Sequence, residues 1–144
     1  MKNSRKALLF MAAASLIASA NIAAAPAPPV SYVQVRYVGS STQGWKPVTD
    51  NQLTTSEDHG GPQLRVLTVE VGYSYSPFAQ INGAYLPQSA NYATVPFCNY
   101  SNFLEQCSPG QIVVGFVRYW NLDGYQGGSF WYQNNSIGDR MNIL

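Results

Sequence analysis

The chain has 144 residues, with eight Lys and Arg against seven Asp and Glu, and a formal charge of +1 at pH 7. Three cations, Lys2, Arg5 and Lys6, fall in an N-terminal segment that reads as removable; beyond residue 25, five cations (Arg36, Lys46, Arg65, Arg118, Arg140) face seven anions (Asp50, Glu57, Asp58, Glu70, Glu105, Asp123, Asp139), leaving −2. That balance provides no basic face to neutralise phosphates, so no nucleic-acid partner is expected. It also excludes a long-range electrostatic membrane anchor. With 18 Phe, Trp and Tyr among the last 119 residues, disorder is excluded as well.

Met1–Lys6 carries the three positive charges, Ala7–Ala20 is a mostly apolar run of 14 residues, and small residues end in Ala23-Ala24-Ala25. This order predicts a secretory signal peptide over residues 1–25, and the run is shorter than the roughly 20 residues that span a bilayer. Pro26 is an awkward neighbour for cleavage after Ala25, so Ala24 and Ala20 stay open as alternatives. The expected location is extracellular, with passage through a periplasm if the cell is Gram-negative. Residues 26–30 read as a Pro-rich, extended lead-in, and residues 31–144 suffice for one domain and not two.

Ser31–Val38 alternates with period two, Val33, Val35 and Tyr37 on one face and Tyr32, Gln34 and Arg36 on the other, which predicts a half-buried strand. Gly39–Gly44 is a polar turn. Trp45–Gly61 sustains no period and runs into a loop, Ser56–Pro62, expected to be exposed. Leu64–Val71 is a second strand, with Leu64, Val66, Thr68 and Glu70 opposite Arg65, Leu67, Val69 and Val71. Asn82-Gly83 between Phe78–Ile81 and Ala84–Leu86 is a two-residue hairpin turn. Prolines 77, 87 and 96 belong at strand ends or edges. Gln111–Trp120 reads as a strand covered on both faces, Asn121–Ser129 as a loop, and Phe130–Gln133 and Ile137–Leu144 as closing strands. No helical period is sustained, and the whole predicts an antiparallel β-sandwich or small barrel.

Cys98 and Cys107 are the only cysteines. An even count in an exported domain predicts a disulfide, and closing a ten-residue loop stabilises by about 2–3 kcal/mol on the chain-entropy model. Two cysteines and one histidine fall short of a zinc set.

His59, beside Glu57 and Asp58, has the residue types of a general base with a carboxylate partner. Sequence neighbours seldom have the needed geometry, no nucleophile elbow accompanies them, and a solvated loop histidine is the expectation. No phosphate-cradling glycine loop occurs. A non-enzymatic protein without cofactor, catalytic residue or metal ligand is therefore expected; the alternative is a hydrolase using carboxylates such as Glu70 or Glu57.

The aromatic surplus carries the functional reading. Trp120, Tyr125, Phe130, Trp131 and Tyr132 gather around the 121–129 loop, and Tyr73, Tyr75 and Phe78 form a second group. Alternation sends Phe130 and Tyr132 to one face and Trp131 to the other, so about half of these rings are expected in the core. The remainder are expected to engage a membrane or a host or competitor cell surface, where a ring is buried and its polar tip stays wet; the alternative is a glycan-binding module in which the rings stack on sugars with polar groups nearby. Exposed strand edges can also pair between copies, which leaves a homo-oligomer open.

The signal peptide, Pro28-Pro29-Val30-Ser31-Tyr32-Val33-Gln34-Val35, Val38-Gly39-Ser40-Ser41, and the cysteine pair before a Gly/aromatic C-terminal hairpin together resemble the YolA-like family of small secreted bacterial proteins of unknown function. The resemblance implies an extracellular, non-enzymatic protein, with membrane-active antimicrobial behaviour or elicitation of plant defence known among such proteins. The low charge departs from the cationic profile of many membrane-disrupting proteins and favours specific docking.

Overall fold

Branched and aromatic residues alternating with polar ones build nine strands in the computed structural model, which describes residues 27–74 and 76–144. The predicted signal peptide and Tyr75 lie outside the described residues. In chain order the strands are β1 (Tyr32–Ser40), β2 (Gly44–Pro47), β3 (Leu64–Val71), β4 (Pro77–Ile81), β5 (Ala84–Tyr85), β6 (Asn91–Phe97), β7 (Gly115–Asn121), β8 (Gly128–Asn134) and β9 (Ile137–Ile143). One sheet has the order β2-β1-β3-β7-β6 and the other β5-β4-β8-β9. All strand pairs are antiparallel. The sheets pack face to face without closing into a barrel, which makes the fold a β-sandwich.

The core between the sheets takes Val33, Val35 and Val38 from β1, Leu64 and Val66 from β3, Ala79 and Ile81 from β4, Trp120 from β7, Phe130 and Tyr132 from β8, and Met141 and Ile143 from β9. Burying each large side chain of this kind is worth about 1.5–3 kcal/mol. A second, smaller cluster lies on the outer side of the five-stranded sheet, where Phe97, Phe103 and Tyr37 cover Leu67, Val69 and Val117. β3 is therefore buried on both faces.

The strand expected at Ser31–Val38 does not keep its alternation. The pairing with β3 slips between Val35 and Tyr37, so Arg36 is a bulge residue and Tyr37 turns to the outer side while Val38 joins Val33 and Val35 inside. Asp139 Oδ2 accepts a hydrogen bond from the Val35 amide at 2.7 Å, tying β1 to β9 across the sandwich.

The strand expected from Gln111 begins only at Gly115. Ile112 is 83% exposed, and Val114 is held by single bonds to Phe97 and Gly72. The period-two pattern there belongs to an extended approach to the sheet, which alternation alone does not separate from a paired strand. β2 is a short edge strand that the sequence pattern leaves out; Pro96 sits on edge strand β6 and Pro77 opens β4, as the prolines require. The Asn82-Gly83 hairpin forms as expected, both residues having positive φ (51° and 81°).

The loop after β2 is not simply exposed. Leu53–His59 lies along β9: the Thr55 amide donates to the Asn142 carbonyl at 2.9 Å, the Asn142 amide to the Leu53 carbonyl at 2.8 Å, and the His59 amide to the Leu144 carbonyl at 2.6 Å. The edge of the four-stranded sheet at β9 is thus covered. His59, expected to be solvated, is fully buried, because its segment must turn inward to make these bonds.

Candidate functional site

Glu70, the strand carboxylate of the hydrolase alternative, is 1% exposed. Both faces of β3 are covered, and its face toward the second sheet carries Glu70 into the interior. There it meets Arg118, whose Nη2 and Nε donate to Oε1 at 2.8 and 3.1 Å. The Tyr132 hydroxyl and Asn134 Nδ2 (2.5 Å) donate to Oε2 from the opposite sheet. Trp120 Nε1 donates to Thr68 Oγ1 at 3.0 Å in the same layer. Burial and the adjoining carboxylate push the Tyr132 phenol far above its ordinary range. The cluster joins the sheets, and Glu70 has no free oxygen lone pair turned to solvent. Glu70 is closed to a substrate.

The aromatic candidates divide sharply. Trp120, Phe130 and Tyr132 are core residues; Phe130 and Tyr132 have no accessible surface, and Trp120, 3% exposed, only touches the cleft that Phe78 and Asn91 line. The reason is the alternation of β8, which turns Phe130, Tyr132 and Asn134 inward. Tyr73 is half-buried, its ring edge-on to Phe116 at 5.4 Å and its hydroxyl on the Val113 carbonyl at 3.2 Å, pinning the lead-in at Pro28 and Pro29. Tyr125 is 38% exposed in the β7–β8 loop. Trp131 is the candidate that sits on an outward sheet face.

The pairing registers build that face. Tyr85 lies opposite Gln80, Gln80 opposite Trp131, and Trp131 opposite Arg140, so one residue from each of β5, β4, β8 and β9 forms a row across the whole sheet. Directly paired residues share a side of the sheet. Phe78 and Gln133 form the next row. Tyr85, 70% exposed, packs on Phe78 at 5.5 Å, and Phe78 on Trp131 at 6.4 Å. The Arg140 guanidinium lies over the indole at 4.5 Å from its centroid. Gly138 makes room for the indole: a Cβ there would come 2.7 Å from Trp131 Nε1. Phe78 continues into a cleft of about 540 Å3 lined also by Leu86, Pro87 and Asn91. Gln80 and Arg140 make no side-chain hydrogen bond to other described residues, so their donors are free for a ligand.

The five-stranded sheet has a parallel arrangement on its outer side. Trp45 folds over Gly39, where a Cβ would lie 2.8 Å from the indole, and reaches Tyr119 at 6.2 Å. Tyr119 meets Tyr92 at 5.9 Å, and Arg65 covers Tyr92 at 5.5 Å. Here the cation is spent: Arg65 bonds Asp123 and Asn121 Oδ1 (2.7 Å). That contact holds the Asp123 carboxyl below its ordinary range.

The disulfide forms between Cys98 and Cys107 as expected. Its loop sends Phe103 onto Tyr37 at 6.4 Å and under Arg36 at 5.3 Å. Tyr100 and Leu104 stay exposed, and Tyr100 lines an apolar cleft of about 480 Å3 with Ile112 and Tyr73.

Tyr85, Gln80, Gln133 and Arg140 were not among the sequence candidates. The Asn82-Gly83 turn dictates that Tyr85 faces Gln80, and the two-residue turn at 135–136 dictates that Trp131 faces Arg140. Either pairing was open to turn arithmetic. The Gln80–Trp131 link joins segments 51 residues apart and had no local signal.

These features define a β-sandwich with an open aromatic, amide and guanidinium surface on one sheet and a cystine-braced loop beside the other. The chain belongs to the family described as domain of unknown function (DUF4879), which matches residues 25–142. No curated protein and no solved structure matches the chain.

Proposed function

We propose that this is a secreted, non-enzymatic binding protein that recognises a cell-surface saccharide with the outward face of its four-stranded sheet. The observation that carries the reading is the Tyr85–Gln80–Trp131–Arg140 row. A sugar ring offers an apolar C–H face and a rim of hydroxyls. The Tyr85 ring, 70% exposed and packed on Phe78, supplies the apolar partner among these rings, and the unspent Gln80 amide and the Arg140 guanidinium that Trp131 carries supply donors in the same row. A lipid interface needs the rings but has no use for amides interleaved among them. The N-terminal order of charged, apolar and small residues supports export of the chain.

Affinity electrophoresis through a panel of soluble polysaccharides tests the reading. Retardation by at least one polysaccharide is expected, lost in Tyr85→Ala and Trp131→Ala variants that keep the wild-type circular dichroism spectrum. Retardation that survives both substitutions would place the saccharide elsewhere and overturn the assignment.

The exposed Tyr100, Leu104 and Ile112 favour a second reading, in which the cystine loop docks at a lipid interface. Vesicle co-sedimentation that fails in Tyr100→Ser and Ile112→Ser, with Tyr85→Ala unaffected, would put this reading first.

A further inference from the structure

We infer that the four-stranded face selects a carboxylated saccharide, with Arg140 taking the carboxylate; this rests on the saccharide reading above. Four arginines lie among the described residues. Three are neutralised within the chain: Arg36 by Asp50 at 2.9 Å, Arg65 by Asp123, and Arg118 by Glu70 at 2.8 Å. Arg140 forms no ion pair with a described residue. Its sequence neighbour Asp139 does not answer it. Asp139 pairs with Tyr132 and faces the other side of the sheet, and its two carboxylate oxygens accept from the main-chain amides of Val35 and Arg140 at 2.7 and 2.9 Å.

The outward row and its neighbours, Tyr85, Gln80, Phe78, Trp131, Gln133, Ser129, Asn142 and Gly138, include no acid. Glu57 and Asp58 lie on the segment that covers β9, and neither pairs with Arg140, which is therefore an uncompensated cation in a domain whose charge balance beyond residue 25 is negative. The two sheets provide an internal contrast. Each carries a tryptophan laid over a glycine and an arginine over a ring, yet only the five-stranded face pairs its arginine with an aspartate. Charge complementarity thus points to an anionic ligand on the four-stranded face alone. Contact with the Trp131 ring at 4.5 Å restrains the guanidinium, whose planar N–H fork matches the two oxygens of a carboxylate. A neutral sugar would leave that fork unmatched.

The test is titration of the oxidised protein with polymers of glucuronic, galacturonic and mannuronic acid, each beside its carboxyl-reduced counterpart, at 0.15 M salt. The paired polymers share rings and linkages and differ only at the carboxylate. The expected result is binding about tenfold tighter to at least one acidic polymer than to its reduced form, the worth of one charge-assisted contact. Arg140→Gln should level the two, Arg140→Lys should restore part of the difference, and Tyr85→Ala should weaken both alike. Equal binding to the acidic and reduced forms overturns the inference and leaves the saccharide reading standing. Binding of an acidic polymer that ignores Tyr85→Ala and vanishes at 0.5 M salt marks ion exchange and overturns it too. No binding to any of the six polymers overturns the inference, while retardation by other polysaccharides in the panel above would still uphold the saccharide reading.

Discussion

Gly138 lies beneath Trp131, so close that a β-carbon at Gly138 would sit 2.7 Å from the indole Nε1 and 2.8 Å from the Tyr132 carbonyl oxygen. The backbone there has no need of glycine for its own sake, since its φ is not in the left-handed region. The requirement is space. Gly138→Ala is expected to lift the indole and disorder the Arg140 stack, at a stability cost of about 1–3 kcal/mol from overpacking. Saccharide retardation should weaken several-fold with it. Gly39→Ala is the matched control, because it displaces Trp45 on the other sheet and should leave that binding unchanged. Affinity electrophoresis of both variants against urea-unfolding midpoints separates loss of the surface from loss of the fold.

The buried cluster around Glu70 predicts strongly unequal costs. Arg118→Met leaves the Glu70 carboxylate inside the sandwich without its cation, and removal of one partner of a buried pair costs about 3–5 kcal/mol. Glu70→Leu combined with Arg118→Met removes both charges and should cost less than Arg118→Met alone. Urea denaturation of the two variants checks the order; a double variant less stable than the single would refute it.

Tyr132 adds a signature at alkaline pH. Its folded phenol binds its proton far more tightly than an unfolded one, through burial first and the Glu70 carboxylate second. The stability this contributes is full below the unfolded value of about 10 and is lost as pH rises above it. Thermal midpoints measured from pH 8 to 11 should fall less steeply in Tyr132→Phe than in wild type.

Much of this architecture could be read from local pattern, and its limits are physical. Leu64–Val71 and the Asn82-Gly83 hairpin were legible because side-chain alternation and a left-handed turn are set within a few residues. The Arg36 bulge was not, since one extra residue leaves the sequence pattern of β1 intact up to the slip and reverses it afterwards. Glu70 misled for a related reason: a polar residue in period two reads as solvent-facing. What turned it inward was a partner set of Arg118, Tyr132 and Asn134 from strands 48 to 64 residues away. Among the aromatics, alternation correctly opposed Trp131 to Phe130 and Tyr132. It could not say which side was outside until β4 and β9 were placed beside β8.

The cystine loop should matter to the five-stranded side and not to the saccharide face. Cys98→Ser with Cys107→Ser frees the ten-residue loop that carries Phe103 over Tyr37 and Arg36, and should cost about 2–3 kcal/mol. The row from Tyr85 to Arg140 belongs to the other sheet. Polysaccharide retardation should therefore persist in the double variant below its unfolding midpoint, whereas any vesicle binding through Tyr100 and Leu104 should drop. Loss of both together would show that the two surfaces are coupled.

His59 gives the sandwich an acid-sensitive edge. Its ring is fully buried, Nδ1 lies 3.1 Å from Ser40 Oγ, and Nε2 has no partner among the described residues. Desolvation is the largest influence and lowers its proton affinity; Glu57 and Asp58 oppose that, and Lys46 adds to it. With the folded pKa below the unfolded value of about 6.5, the unfolded chain takes up a proton that the folded chain refuses. The stability held by neutral His59 is complete above about 6.5 and drains away as pH falls toward the folded value. The loss has a definite location, because the His59 amide is the last tie of the segment that covers β9. Thermal midpoints should decline between pH 7 and 5 in wild type and stay flatter in His59→Gln, whose neutral amide has nothing to titrate. Hydrogen exchange at pH 5 should lose protection first at the Thr55, His59 and Asn142 amides, which make the ties to β9. Identical slopes in the two proteins would overturn the assignment of the acid response to His59.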